Sequence, residues 1–234
     1  MKKTVLFVTI LLLGQLVYGQ SKGYSGGFQF KGMVANNFLS GGTETIGLDS
    51  VQINNSQKFG YVFGMTIRKQ FNKTLAVESG LRFVQRNYNT KIDSTFGNYN
   101  GSIDYRIIGY EIPFKGMVRL RASDHSYFSV SLGAQLDFYP SDIFNEDNEW
   151  QVEVRRVSWI QGSFLANMGW EIHPPNNGTF YVGFSFNQPF ADPFVANIGL
   201  YNTPVAIANT KLNASYLSLD LRYYFEQKND RPSK

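Results

Sequence analysis

Between Lys58 and Tyr88 the chain alternates apolar and polar positions twice over, with an interruption at Asn72-Lys73. On the first arm Phe59, Tyr61, Phe63, Met65, Ile67 and Phe71 share one parity, broken only by Lys69. Lys58, Gly60, Val62, Gly64, Thr66, Arg68 and Gln70 take the other. On the second arm Leu75, Val77, Leu81 and Phe83 alternate with Ala76, Glu78, Gly80, Arg82 and Arg86. A period of two separates side chains onto opposite faces only in an extended strand. The pattern therefore predicts a β-hairpin with one apolar and one polar face.

The alternation recurs along the rest of the chain. Residues 24–38 set Phe28, Phe30, Gly32, Val34 and Phe38 against Gln29, Lys31, Met33 and Asn37. Residues 103–121 set Ile108, Tyr110, Ile112, Phe114, Val118 and Leu120 against Glu111, Lys115, Arg119 and Arg121, with Pro113 predicting a bulge or local irregularity. Further strands are expected at about 127–139, 157–172, 179–190 and 212–225. The connections at Asn72-Lys73, 122–125 and 173–178 are short. Those at 40–57, 89–102, 140–154 and 191–211 are polar and read as long loops. Eight strands with alternating long and short connections predict an all-β fold, an eight-stranded antiparallel up-and-down transmembrane β-barrel with its long loops outside.

The polar parity is too charged for a sealed soluble core. Arg68, Glu78, Arg82, Arg86, Glu111, Lys115, Arg119, Asp137, Glu171, Asp220 and Arg222 all fall on it, and in a barrel they would share the lumen. The opposite parity carries Phe63 along its length and further aromatic residues near both strand ends: Phe28, Phe59, Phe71, Phe128, Phe138, Trp170, Phe180, Phe190 and Phe225. Aromatic girdles at two interfaces are expected of a lipid-facing surface.

Composition narrows the compartment. Lys2 and Lys3, the apolar run from Val5 to Leu13 and the small residues before Gln20 predict a secretory signal peptide over 1–19. The barrel is expected over 20–225 and a polar tail over 226–234. The chain has no Cys, so thiol chemistry and Cys-based zinc sites are excluded. Loss of Lys2 and Lys3 with the leader lowers the formal charge from +4 to +2, which argues against nucleic acid as a partner.

Tyr110-Glu111-Ile112-Pro113-Phe114-Lys115, the small-residue run Ser129-Val-Ser-Leu-Gly-Ala134 and the aromatic last strand resemble the PorT-like outer-membrane barrels of Gram-negative bacteria. The resemblance covers the chain from Gln20 to Phe225. It implies an outer-membrane location. The family's founding member is an accessory of a protein-secretion and gliding system, a role that fold alone does not transfer.

Candidate chemistry is sparse. The two histidines, His125 and His173, fall in expected short turns and read as solvated. No nucleophile elbow, zinc-protease motif or phosphate loop is present in the sequence. Asp142, Glu146, Asp147 and Glu149 lack the regular spacing of a calcium loop and read as a solvated acidic loop. No catalytic residue, metal or cofactor is expected. Side chains fill the interior of a barrel of only eight strands, so the inward charges read as a salt-bridged plug. The expected role is a non-enzymatic one, in binding, adhesion or envelope assembly and secretion. A narrow small-solute channel is the first alternative and a surface hydrolase or acyltransferase the second. Expected partners are outer-membrane lipid and lipopolysaccharide, the barrel-assembly machinery, and secretion-system or envelope proteins, with the chain itself a monomer.

Overall fold

The computed structural model describes residues 23–36, 44–48, 51–94, 99–147, 150–175, 177–200 and 206–225. The expected leader and tail lie outside them. The strands are β1 (Tyr24–Ala35), β2 (Glu44–Leu48), β3 (Val51–Gln70), β4 (Leu75–Ser94), β5 (Tyr99–Ser123), β6 (Ser126–Phe138), β7 (Ile143–Asp147), β8 (Trp150–Arg156), β9 (Ile160–Ile172), β10 (Thr179–Pro189), β11 (Phe194–Leu200), β12 (Ala206–Leu212) and β13 (Tyr216–Tyr224). Eight of them form a ring in the order β1-β13-β10-β9-β6-β5-β4-β3, which closes through an antiparallel β1–β3 pairing. Closure leaves no unpaired edge within the ring, the condition for crossing a bilayer with strands.

The ring's outer surface is apolar. Phe28, Phe63, Phe114, Leu132, Met168, Val182, Phe184 and Leu219 are all exposed on it. The eleven residues of β10, at about 3.3 Å each and tilted by about 40°, span roughly 28 Å, close to the apolar band of such barrels. Lys69 interrupts the outward parity at the inner rim. Its ammonium lies 4.9 Å from the Tyr24 ring centre and 5.6 Å from that of Phe71. A lysine can extend its charge towards the membrane surface in this way while its stem stays in apolar surroundings. The hairpin below is closed by Asn72, whose Oδ1 accepts the amides of Thr74 at 2.8 Å and Leu75 at 2.7 Å. This side chain supplies the turn's local hydrogen bonds.

The expected polar loops are corrected most. β3, β4 and β5 have 20, 20 and 25 residues, whereas about 9–11 suffice to cross. Their outer halves stand above the ring, where β2 joins β3 and a four-stranded sheet, β12-β11-β8-β7, faces them. Between the two lies a hydrophobic core of Ile53, Tyr88, Ile92, Ile103, Tyr105, Ile107, Tyr139, Trp150, Val152, Val154, Phe194, Ala196 and Ile198, among others. The described parts of the four long connections thus build a β-sandwich over the outer mouth. β7 approaches β5, where Asn145 Nδ2 donates to the Asp104 carbonyl at 2.6 Å, and β12 lies beside β2.

The two faces of β4 and β5 exchange chemistry where they leave the membrane. Within the ring the inward face is charged, with Glu78, Arg82 and Arg86 on β4 and Glu111, Lys115 and Arg119 on β5. Above it the same parity turns apolar, with Tyr88 and Ile92 on β4 and Ile103, Tyr105 and Ile107 on β5. On β3 a register shift between Lys58 and Tyr61 moves the inward parity from Thr66, Gly64 and Val62 to Asn55 and Ile53. Lys58, expected on the lumen parity, consequently points outward and pairs with Asp104 at 2.8 Å. Trp159, within the strand expected at 157–172 and on the parity of Gln161 and Ser163, instead precedes β9 and is exposed.

Pro113 introduces no extra residue. Its pairing with Gln135 lies within a continuous β5–β6 register, and the β4–β5 register is unchanged from Ser79↔Phe114 to Arg82↔Glu111. Partners are missing only between those two pairs, as a residue without an amide proton would cause.

Val152 is fully buried in the sandwich core. Val152→Asp would place an unpaired carboxylate there at a cost of several kcal/mol. The expected result is trypsin cleavage after Arg155 or Arg156 in a protein that retains a heat-modifiable barrel. Loss of the barrel as well would show that sandwich and ring fold as one unit.

Candidate functional site

The lumen is where the unusual chemistry collects. All of the inward charges named above (Arg68, Glu78, Arg82, Arg86, Glu111, Lys115, Arg119, Asp137, Glu171, Asp220 and Arg222) are buried. Alternation places them there. Each sits on the concave side of a ring strand, and cross-strand register sets them opposite one another, as in Arg68↔Glu78, Glu78↔Lys115 and Arg82↔Glu111.

They form two layers. In the inner one Glu78 takes Lys115 Nζ at 2.6 Å, Arg222 Nη1 at 3.0 Å and Arg68 Nη2 at 3.4 Å, and also accepts the Tyr224 hydroxyl. Glu171 joins Arg68 to Arg119, each at 2.9 Å. Asp220 is held by Arg222, Gln29 Nε2 at 2.6 Å, Ser185 Oγ at 2.7 Å and Asn167 Nδ2 at 3.0 Å. In the outer layer Glu111 takes Arg86 Nη2 and the Tyr216 hydroxyl, both at 3.2 Å, with Arg82 Nη1 at 3.9 Å. Asp137 accepts Gln135 Nε2 at 2.7 Å and the Ser163 hydroxyl. Tyrosines wall the guanidinium groups: Tyr224 lies 3.8 Å from Arg68 Cζ and Tyr181 lies 4.3 Å from Arg222 Cζ. A carboxylate removed from water needs several such donors to offset its desolvation, and Glu78, Glu171 and Asp220 have them.

The lumen has polar capacity to spare, much of it in the outer layer. Nε and Nη2 of Arg82, Nε and Nη1 of Arg86, and Nζ of Lys31 have no hydrogen-bond acceptor among the described residues. Lys31 was not among the lumen charges expected from sequence. It is fully buried, opposite Asp220 in the β1–β13 register and 3.9 Å from its Oδ2. Its polar parity between Gln29 and Met33 is the signal that could have found it. The same holds for Tyr181, Tyr216 and Tyr224.

The aromatic set lies outside the ring. Phe28, Phe59, Phe63, Phe71, Trp170, Phe180, Phe190 and Phe225 are exposed, while Phe128 and Phe138 are half-buried. Phe128 packs edge-on against Trp170 at 5.7 Å, and Phe28 against Phe225 at 5.6 Å.

The histidines differ from each other. His125 is exposed in its turn. His173, expected to be solvated, is half-buried at the inner mouth, its ring 2.9 Å from Arg119 Nη2 and packed against Tyr127. Burial and then the Arg119 charge push its pKa below the ordinary histidine value. The acidic stretch does not converge: Asp142 pairs with Arg156 and accepts its amide, and Glu149 lies outside the described residues. No group of three potential metal ligands occurs among the described residues.

No protein-family model matches the chain, and no curated protein is similar to it. Solved structures are. The outer-membrane protein OprG from Pseudomonas aeruginosa superposes with a TM-score of 0.51 at 10% identity, over 87% of this chain and 95% of that one. The β-domain of the Bordetella autotransporter BrkA covers 87% of this chain and 99% of its own, at a TM-score of 0.37 and 10% identity. OprG thus shares the fold, that of an outer-membrane β-barrel.

Proposed function

We propose that this protein is a non-enzymatic component of the Gram-negative outer membrane, a sealed barrel that presents a folded β-sandwich to the outside. The single observation that supports it most is the filled lumen. Arg68, Glu78, Lys115, Glu171, Asp220 and Arg222 are joined across the bore by ion pairs with almost no exposed surface, and the sandwich core lies over the outer end. A solute would have to break several buried ion pairs to pass. Binding, adhesion or an accessory role in envelope assembly or secretion then falls to the sandwich. The likeness of Tyr110-Glu111-Ile112-Pro113-Phe114-Lys115 to the PorT-like strand is what favours the accessory role. In this reading a cleavable leader exports the chain, the assembly machinery inserts it, and it works as a monomer among lipid and lipopolysaccharide.

The second reading, a narrow small-solute channel, draws on the unaccepted N–H groups of Arg82, Arg86 and Lys31. Planar-bilayer recording of the purified barrel separates the two. The expected result is electrical silence. Steady anion-selective conductance, lost in Arg82→Gln/Arg86→Gln, would replace the plug with a channel.

A further inference from the structure

Outside the lumen, the sandwich has a seam between its two sheets. β5 and β7 come together without a shared ladder, and below their junction a cleft of about 800 Å³ opens at the outer rim. Its walls come from Lys58 and Phe59 at the β3 register shift, Gln85 and Asn87 of β4, Asp104 and Arg106 of β5, and Phe144 and Asn145 of β7. We infer that this cleft is a saccharide site, with Phe144 and Phe59 as stacking surfaces and Asn87, Asp104, Lys58 and Arg106 as hydroxyl partners.

Three features of the cleft lead to that ligand class. First, Phe144 and Phe59 are 59% and 62% exposed in a wall that they share with Tyr88, Tyr105 and Ile143 as well as with the polar groups. The electron-rich face of an aromatic ring suits the C–H face of a pyranose, which is apolar and slightly positive. Phe59 reaches down over Gly32, where an added Cβ would meet its ring, so the cleft begins where the apolar band ends. Second, the polar groups are held in place yet keep free valences. Asn87 Nδ2 donates to the Phe59 carbonyl at 2.8 Å and its Oδ1 accepts Gln85 Nε2 at 3.0 Å. Asp104 Oδ1 accepts Lys58 Nζ at 2.8 Å and Asn89 Nδ2 at 2.7 Å. That leaves a carboxylate oxygen, an amide proton, ammonium protons and the Arg106 guanidinium for vicinal hydroxyls. The hydrogen bonds from Lys58 and Asn89 hold Asp104 below the usual carboxylate range, so it stays an acceptor.

Third, the signs are mixed. Lys58 and Arg106 face Asp104, which suits a neutral polyhydroxylated ligand better than a free anion or cation. An extended peptide would instead need an open strand edge, and the Asp104 carbonyl on that edge is already taken by Asn145. The side chains of Lys58 and Asp104 are half or more exposed, so the cleft opens to water and headgroups. The saccharide could therefore be a free glycan or the sugar head of an outer-leaflet glycolipid. This inference deepens the binding role proposed above and rests on it.

The test uses the full chain in detergent micelles, first shown to be folded by heat-modifiable migration. Binding is measured on an array of neutral and acidic oligosaccharides, to core oligosaccharide freed from lipopolysaccharide, and to lipopolysaccharide in nanodiscs. Phe144→Ala and Arg106→Ala, both surface changes, are expected to weaken binding tenfold or more without altering migration. Binding to free oligosaccharide identifies a soluble glycan, and binding only in nanodiscs identifies a glycolipid. Capture by an extended-peptide library but no saccharide overturns the inference, as does saccharide binding that both variants leave intact. No binding of any saccharide at millimolar concentration also overturns it. A barrel that conducts ions yet binds saccharide through Phe144 would sink the sealed-lumen reading alone.

Discussion

Phe63→Arg is expected to abolish the folded, heat-modifiable form of the protein. Phe63 stands on the outer face of β3, midway between Lys58 in the rim cleft and Lys69 at the inner rim, with its ring stacked 6.4 Å from that of Phe28. Cross-strand it faces Phe83 on β4 and Phe30 on β1, so an arginine there has no anion to reach. From the middle of a strand it also cannot extend to either interface as Lys69 does. A cation at this depth costs about 2–4 kcal/mol, besides the lost ring contact. The measurement is the fraction of fast-migrating protein in unboiled gels of outer-membrane preparations, with the urea midpoint in micelles as the quantitative check. Thr66→Ser is the control. Its inward hydroxyl donates to the Ser79 carbonyl at 3.2 Å and a serine keeps that donor, so it should behave as the parent. A fully assembled Phe63→Arg barrel would mean that this face does not meet lipid.

The ring was readable from sequence because each strand, over the part that crosses, mostly keeps one rule, apolar out and polar in. The sandwich obeys the opposite rule, and the change occurs inside continuous strands. On β4, Arg86 belongs to the plug and Tyr88 to the sandwich core; on β5, Ile107 and Glu111 stand on the same face with opposite roles. A reading that seeks one periodic pattern loses the strand at that point and takes the remainder for loop. Short alternations such as Trp150-Val152-Val154 and Phe194-Ala196-Ile198 were visible but had no partner sheet to face. On β3 the register shift near Lys58 hid the change further, since it moves Ile53 to the inward face by altering parity. The lumen charges were legible as a set because alternation alone decides the face. Their pairing was not, since which carboxylate meets which cation depends on register between strands far apart in sequence, such as Glu78 and Arg222. For Lys31 the polar parity was legible but the partner was not: Asp220 sits on the last strand, and only closure of the ring through β1 brings them together.

The sealed lumen makes its own demand on stability, and Glu78 is where it is greatest. Three cations, Lys115, Arg222 and Arg68, converge on this one carboxylate, which is also the acceptor for Tyr224. Glu78→Gln keeps the shape and removes the charge, so the three cations lose their common anion in a site closed to water. Breaking a buried pair from one side costs about 3–5 kcal/mol, and a drop of that size in unfolding free energy is expected. Glu153→Gln supplies the comparison. Its partner Arg155 at 2.8 Å is exposed, and water screens an exposed pair so that it adds little to stability, so little should change. Adding Lys115→Met to Glu78→Gln should recover part of the loss, because the nearest stranded cation goes with it. The coupling between the two sites is expected at about 0.5–3 kcal/mol. A neutral Glu78→Gln would show that water reaches the inner layer, and a bore that hydrates its charges so readily has the properties of a channel rather than a plug.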